Sequence, residues 1–204
     1  MSTPRSLRWP LAVVALFSAA CAAPAQEAPA PAGPPLAPFA AMRLAVVPAQ
    51  LWRADTIGWS REANWAELRL ALDAAIEAEL RARGLGSRWA YAADVVRTAR
   101  RNPIYSTDPY ALGVGRWRST PPKVGDGVPE VVADNLRPIT ALGDTRYALI
   151  PVELRVEGDL AILRLVLADT RARSIVWAGD FGVPGGAGAV AALAVRIADL
   201  VVEP

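Results

Sequence analysis

Hydrophobic and charged residues alternate along residues 147–180 in the pattern of a β-meander. In the first strand, the apolar positions recur at every second residue, which is the period of a half-buried strand: Val152, Leu154 and Val156. Gly158-Asp159 then supplies a two-residue hairpin turn, and residues 160–168 form the return strand. A polar turn separates this strand from a third one at 174–181. The pattern predicts three consecutive antiparallel strands.

A two-residue turn at Gly158-Asp159 also determines which residues of the first two strands face each other. It places Glu153 opposite Arg164 and Leu154 opposite Leu163. We expect the two leucines in the core. We expect the Glu153–Arg164 pair on an exposed face of the sheet, where such a pair contributes about 0.2–1 kcal/mol.

Hydrophobic positions at a spacing of three and four residues predict helices before and after the meander. The longest covers residues 61–83, with Ser60 as its N-cap and Gly84 as its stop signal. Shorter helices are predicted at 94–101 and 130–142. A closing helix after a glycine-rich segment carries one apolar stripe: Val190, Leu193, Ala194, Ile197 and Val201.

An apolar run at residues 43–49 predicts a buried strand ahead of the long helix. The order of elements is therefore strand, long helix, short helices, meander and closing helix. One sheet that packs its helices against a single face buries both the helix stripes and the inward side of the meander. We predict that residues 41–204 form a single α+β domain, a two-layer sandwich. It has one mixed sheet with a three-strand antiparallel meander, and helices packed on one face.

Residues 1–20 have the features of a secretory signal peptide. Arg5 and Arg8 give a positive start, residues 9–17 are uncharged and mostly apolar, and small residues follow. This apolar run is shorter than the roughly 20 residues of a membrane-spanning helix, so we expect the leader to be removed. Residues 21–40 are rich in proline and alanine and are predicted to form an extended tether.

Two interpretations of the cleavage at the end of the leader compete. Small residues at 18–20 precede Cys21, the only cysteine of the chain, and resemble a bacterial lipobox, although Ser18 stands where an aliphatic residue is usual. In that interpretation Cys21 is lipidated and anchors the chain, with the periplasmic face of the outer membrane as the expected location. The alternative is ordinary signal-peptidase cleavage after Ala22 or Ala25. In both interpretations the protein is exported.

Composition excludes several classes of function. Arg5 and Arg8 leave with the leader, which reduces the 22 basic residues to 20, equal to the 20 acidic ones. A neutral chain has no electrostatic basis for binding nucleic acid. The chain contains no histidine, which removes Ser-His-Asp and Cys-His catalysis and most zinc sites. We predict no catalytic residue, no metal and no cofactor; paired carboxylates are the main catalytic chemistry that is left.

Residues 102–129 are the best candidate for a binding site. They contain five prolines and four glycines, so we expect a long irregular loop without a role in the core. Irregular loops beyond about 12–15 residues are usually functional or disordered. Because aromatic and arginine side chains dominate protein contacts, we predict that five residues of this loop bind a partner: Tyr105, Tyr110, Arg116, Trp117 and Arg118. The alternative is a loop that folds back over the domain or is mobile.

Three tryptophans, Trp52, Trp59 and Trp65, cluster near the start of the long helix. They suit a stacking platform for a carbohydrate or a peptide. In the alternative, Trp65 packs on the sheet and the other two hold the connecting loop.

Four short patterns resemble a domain of bacterial envelope proteins. They are a first strand at 44–48, the end of a long helix at 80–84, a helix-to-strand passage at 139–150 and a turn before a strand at 169–177. The domain is shared by the amino-terminal part of the translocation protein TolB, the curli-secretion lipoprotein and lipoproteins that activate penicillin-binding proteins. The resemblance implies this α+β fold and a largely non-catalytic envelope lipoprotein. Residues 102–129 lack the paired alternating strands of a curli-type pore.

The leader, the composition and the resemblance lead to one expected function. The protein is an exported lipoprotein and a non-catalytic binding or scaffold module of the bacterial cell envelope. Its expected partners are the membrane, through Cys21, and another envelope protein. Two alternatives stay open: a cell-wall-active enzyme with paired carboxylates, and a structural subunit of an envelope secretion or assembly complex. The oligomeric state is also open.

Overall fold

The computed structural model describes residues 33–55 and 59–203. The predicted signal peptide, Cys21 and the tether up to residue 32 lie outside the described residues. The last part of the predicted tether packs on the rest of the chain. Leu36 is buried, and its backbone N–H donates a hydrogen bond to the carbonyl oxygen of Leu200. The packed part of the chain therefore begins before residue 41.

Six strands among the described residues form one mixed sheet. They are β1 (Leu44–Val46), β2 (Leu51–Arg53), β3 (Trp89–Ala90), β4 (Tyr147–Glu157), β5 (Leu160–Asp169) and β6 (Ser174–Pro184). The strand order is β3-β1-β4-β5-β6, and β2 also pairs with β4. The pairs that involve β1, β2 and β3 are parallel, while β4, β5 and β6 form the antiparallel meander that the sequence predicts.

The strands β1 and β2 lie one after the other along the same edge of β4. Pro48 separates them because proline has no N–H to donate to the ladder. On either side of it, the N–H groups of Val47 and Gln50 donate to carbonyl oxygens of β4 at 3.0 Å. The apolar run predicted the first of these two strands. The sequence pattern missed β2 and β3, which are too short to show a period.

Five α-helices lie in the described part of the chain. They are α1 (Trp65–Ala82), α2 (Ala92–Arg101), α3 (Arg116–Ser119), α4 (Glu130–Leu142) and α5 (Ala189–Asp199). The long helix begins at Trp65 rather than at residue 61, because Asn64 is its N-cap: the Asn64 Oδ1 accepts a hydrogen bond from the N–H of Ala66 at 3.0 Å. Ser60, the predicted cap, is buried and instead accepts a hydrogen bond from the N–H of Asp55. None of the described helices is both long and apolar enough to cross a bilayer.

Apolar residues cover both faces of the sheet. On one face, α1 and α5 pack on β4 and β5 through four buried side chains: Leu72, Ile76, Leu193 and Ile197. On the other face lie α2, α4 and the 102–129 segment, with Val95, Leu112, Trp117, Leu136 and Ile139 in the core. The predicted α+β class and mixed sheet are confirmed. The structure adds a second helical layer to the one expected. The first half of β4 and most of β5 are nearly continuous apolar runs, and such strands are buried on both faces.

The predicted register of the hairpin is confirmed: Glu153 pairs with Arg164 and Leu154 pairs with Leu163. The expectation that the charged pair lies on an exposed face is wrong, since Glu153 is 1% and Arg164 7% exposed. A β-bulge between Pro151 and Glu153 changes the alternation of β4 at this point. The 102–129 segment covers the pair: Arg164 donates a hydrogen bond to the carbonyl oxygen of Trp117 in this segment.

Candidate functional site

The five predicted partner-binding residues have different environments in the structure. Tyr105 is 75% exposed, whereas Trp117 is 3% exposed and belongs to the core between the sheet and α4. Tyr110 is half-buried under the guanidinium group of an α1 residue. Arg116 and Arg118 are exposed on α3. The structure therefore does not bring these side chains together in one surface.

The most exposed apolar residues of the 102–129 segment lie in a turn directly after α2. Ile104 is 87% exposed and Tyr105 is its neighbour in the chain. The carbonyl oxygen of Asn102 accepts hydrogen bonds from the N–H groups of Tyr105, at 3.1 Å, and Ser106, at 3.0 Å. The turn thus presents two large apolar side chains on a hydrogen-bonded backbone. We call Ile104 and Tyr105 the apolar tip.

Two features stiffen the turn that carries the apolar tip. The side-chain amide of Asn102 donates to the carbonyl oxygen of Thr98 in α2 at 2.9 Å, which continues the end of the helix into the turn. Pro103 has a restricted φ angle. The backbone under the apolar tip is therefore fixed before any partner binds.

Hydrogen bonds from the side chain of Gln50 and to the backbone of α4 hold the segment after the tip. Gln50 is buried between β1 and β2; its Nε2 donates to the carbonyl oxygen of Pro109 at 2.9 Å, and its Oε1 accepts from the N–H of Leu112 at 3.0 Å. The Oγ1 of Thr107 donates to the carbonyl oxygen of Asn135 at 2.8 Å. Contrary to the expectation from its composition, the segment contributes to the core: Leu112, Val114, Trp117 and Val128 are buried.

A groove of about 310 Å³ lies between α2 and residues 103–110, beside the apolar tip. Its apolar lining comes from Val96, Ala99, Pro103, Pro109 and Tyr110. Arg100, also in the lining, and Arg101 are exposed at the end of α2 and form no ion pair within the described ranges. The site therefore combines an apolar tip, an apolar groove and two exposed guanidinium groups.

A partly buried ion-pair network, with Glu153 and Arg164 buried, lies under α3. The Nε of Arg118 donates to Glu153 at 2.6 Å, while Arg164 contacts Asp180 through Nε and Nη2, both at 2.8 Å. The hydrogen bonds from Arg164 lower the pKa of Asp180 below its ordinary value, against the effect of burial, and Arg155 adds to this lowering. These carboxylates are neutralised by arginine, so the network positions α3 and has no free acid or base.

The tryptophan cluster is packed against itself. Trp52 and Trp65 stack with ring centroids 5.8 Å apart and an interplanar angle of 3°, and Trp59 lies 6.4 Å from Trp52. The guanidinium group of Arg69 lies 3.9 Å from the ring centroid of Tyr110 and 5.9 Å from that of Trp65. Because Trp52 and Trp65 stack on each other and Trp59 packs beside them, this arrangement favours the packing alternative over a stacking platform.

Asp73 differs from the carboxylates of the ion-pair network in its pKa, which is raised. Burial raises the pKa of Asp73 in α1 to about 7, although the hydrogen bond from the N–H of Ala49, at 3.0 Å, and the charge of Arg69 oppose the rise. A carboxyl group with a raised pKa is the kind of group that general acid catalysis uses. Paired-carboxylate chemistry needs a second acid beside Asp73. The groups that lower the pKa of Asp73 are instead the backbone N–H of Ala49 and the guanidinium group of Arg69.

Within residues 33–55 and 59–203, no group of three His, Cys, Asp or Glu side chains could hold a metal ion.

Sequence reasoning missed two residues of this site. Ile104 stands between a proline and a tyrosine in a polar segment, and an isolated large apolar residue next to turn residues is the signal that could have identified it. Gln50 has no comparable signal, since its role depends on the carbonyl oxygen of Pro109 and the N–H of Leu112, which lie about 60 positions away in the chain.

No protein-family model and no curated protein sequence matches the chain. Among solved structures, the chain is similar to the NMR structure of LpoB from Escherichia coli, with 14% identity over 90% of this chain and 82% of that one and a TM-score of 0.41. The LpoB C-terminal domain from Salmonella enterica has 14% identity over 70% and 83%, with a TM-score of 0.39. Lipoprotein GNA1162 from Neisseria meningitidis has 18% identity over 78% and 98%, with a TM-score of 0.38. These similarities concern the fold alone, and they include lipoproteins of the envelope group that the sequence patterns resemble.

Proposed function

We propose that this protein is an exported, lipid-anchored component of the bacterial cell envelope that binds another envelope protein without catalysing a reaction. The signal-peptide pattern and the position of Cys21 support export and anchoring, with the periplasmic face of the outer membrane as the location. The neutral composition and the absence of histidine from the sequence support a binding role over a catalytic one.

The apolar tip is the observation that carries the binding role. Large apolar side chains exposed next to one another commonly mark protein contacts. Ile104 and Tyr105 are the two most exposed large hydrophobic residues in the described part of the chain. Tyrosine is also among the residues that supply most of the binding energy in protein interfaces.

The geometry of the turn makes the tip suitable for binding. Asn102, Pro103 and Gln50 fix the backbone before and after it, so little conformational entropy is lost when a partner binds. The groove beside the tip accepts an apolar side chain of the partner. Arg100 and Arg101, which form no ion pair among the described residues, favour a partner surface that carries carboxylates around this side chain.

Site-specific crosslinking in intact cells tests the proposal. A photoreactive phenylalanine analogue at Tyr105 is expected to form a crosslink to another envelope protein, whereas the same analogue at Leu70, which is 57% exposed on α1, is not. Ile104→Asp should reduce the Tyr105 crosslink about tenfold or more, and Leu70→Asp should leave it unchanged. Equal crosslinking from both positions would contradict the proposed site. A crosslink only to a second copy of this chain would favour a structural subunit instead.

Lipid anchoring is tested separately. Metabolic labelling with a fatty-acid analogue should mark the wild-type protein and leave Cys21→Ser unmarked. Equal labelling of both proteins, or labelling of neither, would contradict the anchor while leaving the crosslinking result informative about the partner.

A further inference from the structure

A groove of about 510 Å³ lies between the second half of α4, the connection at 143–146 and the β5–β6 turn at 169–173. Three arginines line it: Arg137, Arg171 and Arg173. None of them belongs to the apolar tip or to the groove beside it. We call this feature the arginine groove.

Two of the three guanidinium groups in the arginine groove share one carboxylate, that of Asp134. The Nη2 of Arg137 lies 2.9 Å from Oδ1 of Asp134, and the Nη2 of Arg173 lies 3.7 Å from the same oxygen. Arg171 has no ion pair among the residues that the structure describes. Asp144, the one acidic residue of the lining, forms an ion pair with Arg43, which lies outside the groove. Two positive charges in the groove are therefore not balanced by a carboxylate, in a chain that is neutral once the leader is removed.

The buried side chain of Asp169 holds the backbone of the turn that carries Arg171 and Arg173. Asp169 is buried, and its Oδ1 accepts hydrogen bonds from the N–H groups of Arg171 and Ala172, both at 3.0 Å. Its Oδ2 accepts from Nε and Nη2 of Arg146 at 2.9 and 2.6 Å. Burial alone would raise the pKa of Asp169, but these hydrogen bonds hold it below its ordinary value. The turn therefore stays charged at its base and ordered at neutral pH.

The hydroxyl groups of the arginine groove are already engaged. Thr140 and Thr170 donate to the carbonyl oxygens of Leu136 and Arg146, at 3.0 and 2.7 Å. Thr145 contacts the carbonyl oxygen of Thr140 at 3.5 Å. The free donors of the groove are consequently guanidinium N–H groups, which bind oxyanions in a forked geometry.

We propose that the arginine groove binds a phosphomonoester group, through Arg171 and Arg173 with support from Arg137. A phosphomonoester carries about 1.5 to 2 negative charges near neutral pH, which matches the two unbalanced positive charges. A carboxylate carries one charge and would leave the groove half-neutralised. The volume is sufficient for a phosphate together with a small attached group. The phosphomonoester can belong to a soluble molecule or to a lipid headgroup.

Titration of the full-length mature protein in uncharged detergent micelles tests the proposal. The side-chain N–H signals of Arg171 and Arg173 are followed by NMR. Three probes carry the phosphate: inorganic phosphate, glycerol 3-phosphate and a short-chain phosphatidic acid; a short-chain phosphatidylcholine is the control lipid. Both arginine signals should shift with the phosphate probes and stay unchanged with the control lipid. Tighter binding of glycerol 3-phosphate would identify a soluble source, and tighter binding of phosphatidic acid a lipid headgroup.

Two charge-matched variants separate a built site from general attraction. Arg171→Gln should weaken binding about tenfold, as expected for the loss of a charge-assisted hydrogen bond. Arg196→Gln removes the same charge from an exposed position on α5 and should leave the affinity unchanged. Unshifted arginine signals in the wild type with all three phosphate probes would overturn the proposal. Equal weakening by the two substitutions would overturn it as well.

Discussion

Glu153 and Arg164 face each other across the β4–β5 ladder, yet each forms its ion pair with a different residue. Glu153 accepts a hydrogen bond from Arg118 at 2.6 Å, and Arg164 contacts Asp180 at 2.8 Å. Arg164 also donates to the carbonyl oxygen of Trp117 at 2.6 Å. The two side chains therefore connect α3 to β4 and β5, and they fix the second half of the 102–129 segment on the sheet.

The first prediction concerns the pair of Glu153 and Arg118. Arg118→Ala should destabilise the protein by about 3–5 kcal/mol, because among the described residues it leaves the buried charge of Glu153 with one ion-pair partner, Arg53 at 3.7 Å. In a Glu153→Gln background, the same change should cost less than about 1 kcal/mol, since no buried charge is left unpaired. Urea unfolding of the four proteins measures the coupling. Equal costs in both backgrounds would show that the ion pair does not hold α3.

The second prediction separates the core residue of the segment from the apolar tip. Trp117→Ala should cost about 3–5 kcal/mol because it empties a core position. Tyr105→Ala should change the free energy of unfolding by no more than about 0.5 kcal/mol, because its side chain is exposed. Thermal unfolding of the two variants checks this difference, and similar losses for both would contradict it.

Replacement of the segment as a whole is the third prediction. A short Gly-Ser linker in place of residues 104–124 removes the buried side chains of Leu112, Val114 and Trp117, among others. We expect this variant to unfold or to lose most of its cooperative transition, because each of these deletions costs about 2–5 kcal/mol. Calorimetry decides the matter: a melting temperature within a few degrees of the wild type would mean that the segment is a removable loop.

The fourth prediction uses the hairpin. Leu163→Ala should destabilise by about 2–5 kcal/mol, since Leu163 is fully buried opposite Leu154. Leu160, which is partly exposed next to the turn, supplies the matched control, and Leu160→Ala should cost less than about 1 kcal/mol. Denaturant unfolding gives both values. The reverse order would contradict the register.

The fifth prediction is a pH dependence that comes from Asp73. Its pKa is raised to about 7 by burial, whereas an unfolded aspartate has a pKa near 3.9. The folded state therefore binds a proton more tightly, so this group favours folding below about pH 4 and loses that contribution as the pH rises to about 7. Asp73→Asn keeps an oxygen that can accept from Ala49 but cannot titrate.

The variant should match the wild type at pH 4 and be more stable at pH 8, by at least about 1 kcal/mol, or about 2–4 °C in Tm. Comparison of the two proteins at each pH cancels the other titrating groups. A difference in Tm between them that does not change with pH would show that Asp73 titrates normally in the folded protein.

The strands and helices that local patterns encode could be predicted from the sequence. The alternation in β4, the Gly158-Asp159 turn and the stripe of α5 act between residues close together in the chain, so the hairpin register and the closing helix followed directly. The leader and the lipobox are also patterns of adjacent residues, so they too could be predicted from the sequence. Cys21 itself lies outside the described residues. The β2 and β3 strands could not be predicted, because three- and two-residue strands depend on the neighbours that they pair with.

The sequence by itself determined the α+β class, the meander and the aromatic and arginine content of the 102–129 segment. Only the tertiary structure decided the role of each side chain in that segment: it buries Trp117, exposes Tyr105 and pairs Arg118 with Glu153. The physical reason is that burial depends on what packs against a residue, and here the covering groups are far away in the chain. Arg164 reaches Trp117 across 47 positions and Gln50 reaches Leu112 across 62. No local period records such contacts, so the same composition could have formed a mobile loop.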